Sequence, residues 1–304
     1  MKTVTTQDVY SLGYELKTDP DHFGWMVHTD YREGRDILQR NFHRDGYLYL
    51  PGFWKREDIL KVRRSVLNNL VDLELVETPF DLEKARLKPG KDAGRAFGNP
   101  LDQNNPEVRS LVFGERILDF FNDFLEGESG HFDFIWYRVK GPGLGSPVHS
   151  DMVYMGRGTP HVYSAWTPLG DINIEMGGLM VLEGSHRKQD QLREYLKRDV
   201  DTYCENKEDA EAYASGEKWW DGTLSKNPLR IRKSLGGRWL TADFKMGDVV
   251  IFGMTLVHGS LDNRSPYVRL STDTRYQLAS EPFDERWVGE VAGHGTAMKR
   301  GRIC

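Results

Sequence analysis

A single, mainly β domain with flanking helices is the fold class that this sequence predicts, on three observations. Residues 132–139, 248–260 and 268–278 are rich in aromatic and β-branched side chains, and the last stretch alternates apolar with polar positions as a half-buried strand does. Upstream, Ile59, Val62, Val66, Leu67, Leu70 and Val71 recur at helical spacing. The 304 residues contain no Pro/Ser-rich linker, repeat or low-complexity tract, so one large core is expected rather than two small ones.

In chain order, a helical scaffold is expected over about residues 35–126. One helix spans 58–75. Asn105-Pro106-Glu107 starts another that runs to about Glu126, because a capping Asn followed by Pro suits a first helical turn. Their apolar faces suit the covering of a sheet and its edges.

A sheet core is expected over about 130–280. Its first strand, 132–139, is broken by Gly141-Pro142-Gly143-Leu144-Gly145. His149-Ser150-Asp151 lies beyond this loop, and a period of two on extended chain turns His149 and Asp151 to the same side. The apolar run that starts at Asp248 reads as a buried strand delivering His258. Asn263-Arg264-Ser265-Pro266 is then a turn, and Arg269 faces inward from the returning strand. Residues 187–238 differ in composition, with many charges, an amphipathic helix expected over about 190–201, and Trp219-Trp220. An insertion of this kind reads as a substrate lid, or else as a packing or dimer-contact element.

Two imidazoles and one carboxylate can occupy one face of an Fe(II) ion and leave the opposite face open. His149, Asp151 and His258 are the candidate set, and Arg269 offers a guanidinium that can grip a carboxylate with two hydrogen bonds. Zinc hydrolysis can use two His and one Asp, but it leaves Arg269 without a task. The glycines at 141–145 and 156–158 lack the spacing and following helix of a phosphate cradle. Neither a Gly-x-Ser-x-Gly elbow nor a nucleophilic cysteine pattern is present.

These segments occur in an ordered series: residues 45–53, His149-Ser150-Asp151, residues 178–186, residues 247–252, His258-Gly259-Ser260 and Arg269. In that order they resemble the phytanoyl-CoA dioxygenase family of iron(II) and 2-oxoglutarate dependent oxygenases, from about residue 40 to about 280. The resemblance implies a double-stranded β-helix, or jelly roll, forming a single oxygenase domain over 1–304. It implies that His149, Asp151 and His258 bind Fe(II), that Arg269 helped by Ser260 binds the far carboxylate of 2-oxoglutarate, and that dioxygen (O2) is the second cosubstrate. Two departures stand out: Ser150 where the family often has Gln, and Glu183-Gly184-Ser185-His186 in place of a Pro-Gly-Ser-His turn.

Hydroxylation of a C–H bond in a small organic molecule is the expected outcome; desaturation, epoxidation, ring formation and epimerisation use the same site. A non-catalytic jelly-roll binding or sensing protein is the alternative. Met152, Tyr154, Met155, Trp219 and Trp220 are candidates for the wall of a mostly apolar substrate pocket.

A formal net charge of −5 argues against general nucleic-acid affinity. The basic stretches 84–91 and 230–238 read as solvated surface, or else as a site for an anionic substrate group. Two cysteines, Cys204 and Cys304, make a disulfide framework unexpected and favour a reducing interior. With no apolar leader near Met1 and no apolar window that spans a bilayer, a cytoplasmic protein without a membrane partner is expected, its oligomeric state open. The remaining histidines, His22, His28, His43, His131, His161, His186 and His294, read as surface or hydrogen-bonded structural residues.

Overall fold

The computed structural model describes residues 8–91, 103–290, 292–293 and 296–304, so His294 lies outside the described residues. Two facing sheets carry the fold. The larger runs Tyr47–Leu50, Val249–Gly253, Tyr163–Pro168, Arg269–Leu278, Ser129–His131, and Trp136–Lys140 pairs with the first half of Arg269–Leu278. The smaller runs His258–Ser260, Leu179–Leu182, Trp239–Thr241, Phe23–Trp25, its last pairing parallel. This is the predicted jelly roll.

Strand alternation explains the two cores. Tyr47, Tyr49, Val250 and Phe252 turn toward the smaller sheet and meet Trp166, Val181, Leu240 and Phe244. Their neighbours Leu48, Leu50 and Ile251 turn the other way and join Ile59, Val66, Leu70, Ile117 and Phe121 of the covering helices. Arg269–Leu278 obeys the same rule: Leu270 and Tyr276 lie in the helix-side core, while Arg269, Ser271, Asp273 and Arg275 face between the sheets.

The helical scaffold departs from expectation in one place. The helix predicted to run from Pro106 to Glu126 is two, Pro106–Val112 and Glu115–Phe124. Asn105 caps the first through hydrogen bonds accepted from the Glu107 and Val108 amides, at 3.1 and 3.3 Å. The break falls at Gly114, where a side chain would begin 2.3 Å from the Ser110 carbonyl oxygen. The other predicted helix forms over Arg56–Asp72.

The insertion is mostly irregular, and the expected helix at 190–201 shrinks to Arg193–Leu196. Tertiary bonds claim its end: the Val200 amide donates to the Val153 carbonyl at 3.0 Å, and Asp199 and Asp201 are held by Arg157 and Arg286. Cys204 and Cys304 are joined in a disulfide, against expectation. Short strands Thr202–Cys204 and Arg300–Arg302 pair in parallel and bring the two sulfurs together, an adjacency between residues 100 positions apart that sequence spacing does not reveal. The cysteine argument for a reducing compartment falls with it. Among the described residues no helix is long and apolar enough to cross a membrane.

Candidate metal centre

His258 opens the edge strand of the smaller sheet, and His149 docks on it from the loop that follows Trp136–Lys140. The two residues form an antiparallel bridge, each amide donating to the other's carbonyl at 2.9 Å. The backbone thus sets the imidazoles side by side, with ring centroids 4.2 Å apart. Nδ1 of His149 lies 2.7 Å from the Pro147 carbonyl oxygen, and Nδ1 of His258 lies 3.0 Å from that of Leu256. A carbonyl only accepts, so each Nδ1 carries the proton and each Nε2 keeps its lone pair for a metal.

Asp151 completes the cluster from the start of the short turn Met152–Met155. Its Oδ1 lies 3.8 Å from Nε2 of His149 and 3.6 Å from Nε2 of His258. Ligand atoms of the three residues lie within 4.8 Å of one another, and no other such cluster occurs among the described residues. Burial and the neighbouring His258 hold His149 down to a pKa of about 3, against the pull of Asp151. Burial alone would raise the Asp151 carboxyl, but Arg275, helped by the two histidines and Ser164, outweighs it and keeps the group ionised. Two imidazoles and one carboxylate, with Nε2, Nε2 and Oδ1 converging, fit a divalent transition metal with open positions.

Arg269 is 3 % exposed and lies between the sheets near the Trp166 ring, 5.8 Å from its centroid. It hydrogen-bonds the Ser271 hydroxyl at 3.2 Å, forms no ion pair among the described residues, and has a buried Nε without a partner. Burial draws its pKa down to about 10 with Asp273 opposing, so it remains a cation near neutrality. A buried guanidinium with an unused donor fits an anionic small molecule. Ser260 Oγ accepts from the Ser146 amide at 2.7 Å and therefore keeps its own proton to donate.

The proposed wall residues do not share one role in the structure. Tyr154 stands edge-on to His149, with ring centroids 5.5 Å apart, and donates its hydroxyl to the Asp221 carbonyl at 2.7 Å. Met152 is half-buried beside Phe132, Met254 and Trp287. Met155 is buried, and its sulfur accepts from Nε of Arg275 at 3.2 Å. Trp220 packs edge-on against Tyr195 beneath the Arg198 guanidinium, whereas Trp219 is 75 % exposed. Sequence reasoning missed the roles of Ser164, Tyr195 and Arg275. Arg275 shares the parity of Arg269 along one strand, a signal that was available. Ser164 and Tyr195 carried none, because both act across the fold.

A His-x-Asp and a distant His converging between the two sheets of a jelly roll, with a buried, incompletely partnered arginine on the facing sheet, have the make-up of an iron(II) and 2-oxoglutarate dependent oxygenase. This chain belongs to the phytanoyl-CoA dioxygenase (PhyH) family, whose profile matches residues 42–271. It is 24% identical over 266 residues to a 1-deoxypentalenic acid 11-beta-hydroxylase of Streptomyces exfoliatus, covering 83% of this chain and 84% of that one. To an ectoine dioxygenase of Sphingopyxis alaskensis it is 22% identical over 269 residues, covering 86% and 82%. Among solved structures, the carbocyclase SnoK from nogalamycin biosynthesis superposes with a TM-score of 0.55 at 18% identity, over 85% of this chain and 90% of that one. The apoform of EctD from S. alaskensis gives 0.55 at 17% identity, over 98% and 99%.

Proposed function

We propose that this dioxygenase hydroxylates a C–H bond of a small organic molecule, converting 2-oxoglutarate and dioxygen to succinate and carbon dioxide as one oxygen atom enters the product. The observation that carries this reading is the pairing of a converged His149, Asp151, His258 cluster with the buried, incompletely partnered Arg269. The relatives named for hydroxylation of 1-deoxypentalenic acid and for oxidation of ectoine support a small-molecule substrate.

His149, Asp151 and His258 would hold iron through Nε2, Oδ1 and Nε2. Arg269 would take the far carboxylate of 2-oxoglutarate, with the Ser260 hydroxyl as a second donor. Iron(II) with its bound cosubstrate supplies dioxygen activation. The chain's own part is to fix the tautomer of both histidines, keep Asp151 ionised, and exclude water behind the segment from Tyr195 to Leu224 that packs on Val153 and Tyr154. The insertion in this reading is a fitted wall to the substrate space, Trp220 belonging to it and Tyr154 facing it from the metal loop.

Anaerobic addition of Fe(II) and 2-oxoglutarate tests the reading. A weak visible charge-transfer band is expected in the wild type and absent in His258→Ala. Succinate release should then identify the substrate from a panel of small organic acids, amino-acid derivatives and terpenoids. Iron-dependent turnover at the wild-type rate in His258→Ala would overturn the assignment, and a silent wild type would favour a binding or sensing role.

A further inference from the structure

The two oxygens of Asp151 have different surroundings. Oδ1 faces the histidines, while Oδ2 accepts a 2.5 Å hydrogen bond from the Ser164 hydroxyl and a 3.0 Å charged contact from Nη2 of Arg275. Ser164 and Arg275 are directly opposed in the register between Tyr163–Pro168 and Arg269–Leu278, two inner strands of the larger sheet. Neither can drift. Ser164 is fully buried and Arg275 is 1 % exposed, with Nε on the Met155 sulfur at 3.2 Å, Nη1 on the Thr274 carbonyl at 3.2 Å, and the guanidinium 4.6 Å from the Trp136 ring centroid.

We propose that Arg275 and Ser164 are positioning residues that pin Oδ2 of Asp151, so that the carboxylate gives the metal one donor atom and leaves an extra coordination position free. The inference rests on the reading of Asp151 as an iron ligand. A freely turning carboxylate can bind through both oxygens. In a six-coordinate ion, two imidazoles, a two-atom carboxylate and a chelating keto acid fill every position, and dioxygen has nowhere to enter. With Oδ2 already engaged by two donors, two-atom binding requires breaking a short hydrogen bond and stripping a buried guanidinium of its counter-charge, which a fixed sheet resists. The register that brings Ser164 and Arg275 opposite each other therefore sets the denticity of the third ligand.

The test compares wild type with Ser164→Ala, Arg275→Lys and Arg275→Met under anaerobic conditions, by Fe(II) titration and by the position of the Fe(II)·2-oxoglutarate band. Loss of a residue that orients a ligand typically weakens metal binding about ten- to a hundredfold. Ser164→Ala and Arg275→Met should fall in that range with a displaced band, and Arg275→Lys should recover part of both. If Arg275→Met fails to fold, the other two variants decide. Folded Ser164→Ala and Arg275→Lys proteins with wild-type affinity and an unmoved band would overturn the proposal. Wild-type protein that binds Fe(II) without a band on adding 2-oxoglutarate would overturn the oxygenase reading instead, leaving the affinities to judge Asp151.

Discussion

Gly222 lies so close to Tyr154 that a β-carbon on it would stand 2.2 Å from the phenol Cζ. Its φ of +75° is also one that side chains resist. Around this contact the insertion grips the metal loop: Tyr154 donates to the Asp221 carbonyl, Tyr195 donates to the Gly222 carbonyl, and the Tyr195 oxygen accepts the Ser150 amide. Gly222→Ala should push Tyr154 off its seat beside His149. Productive turnover should fall about ten- to a hundredfold through misplaced substrate, with succinate formed in excess of product and Fe(II) affinity nearly unchanged. Parallel assays of succinate and product decide. Trp219→Ala, at an exposed position, should behave as wild type.

Arg269→Leu removes the buried cation proposed for the cosubstrate carboxylate. Truncating one partner of a buried charged pair costs about 2–5 kcal/mol, or tens to thousands of fold in affinity. The 2-oxoglutarate concentration for half-maximal succinate release should rise by at least the lower figure. An unchanged requirement would remove Arg269 from the site.

Acid should destabilise the metal-free protein in two stages. His149 is buried neutral with its pKa lowered to about 3, so between its unfolded value near 6.5 and that figure the unfolded chain binds the extra proton. Stability attributable to this group is therefore complete above pH 6.5 and declines as the pH falls, by at most about 1.4 kcal/mol per pH unit. Asp151, lowered from 3.8, adds its own loss below that pH. Denaturant titrations of wild type and His149→Gln from pH 7 to 4 should show the shallower slope in the variant.

The Cys204–Cys304 bond closes a loop with a sequence separation of 100. Cross-links of this kind commonly contribute about 2–4 kcal/mol by restricting the unfolded chain. Reduction, or Cys304→Ser, should lower the denaturant midpoint accordingly and expose residues 296–304 to protease first, because that segment is otherwise held by one short parallel pairing with Thr202–Cys204, the Lys299–Asp201 ion pair of 3.3 Å and a few exposed contacts such as Arg300 with Glu285 and the Cys304 amide with Asn206. Equal protease resistance with and without reductant would deny the bond this role.

The strands, the shared side of His149 and Asp151 and the inward turn of Arg269 were legible because they depend on local periodicity, whereas the jelly-roll topology was implied by the family resemblance. Alternation turns His149 and Asp151 to one side and Arg269 inward, and a Gly-Pro loop marks the strand's end. What stayed hidden depends on packing between distant segments. The Gly114 break follows from a backbone close approach to Ser110 within a stretch that otherwise reads as helix. The 190–201 helix loses its second half to Arg157 and Arg286, the latter bound also to Asp284 at 2.6 Å in a fully buried pair. Ser164 looks like any small residue in a strand until its register against Arg275 is known.

One uninterrupted strand, Arg269–Leu278, supplies both the cation proposed for the cosubstrate and the cation that grips Asp151. Gaining or losing a single residue between 269 and 275 would turn one of these arginines into the apolar layer beneath the helices and bring a Leu or Thr to the iron side. Length variation is thus closed to this interval in any working descendant of the chain. The stretch from 205 to 219, largely exposed and hydrogen-bonded mainly within itself, can lengthen or shorten, so new substrate ranges have a place to arise without disturbing the chemistry.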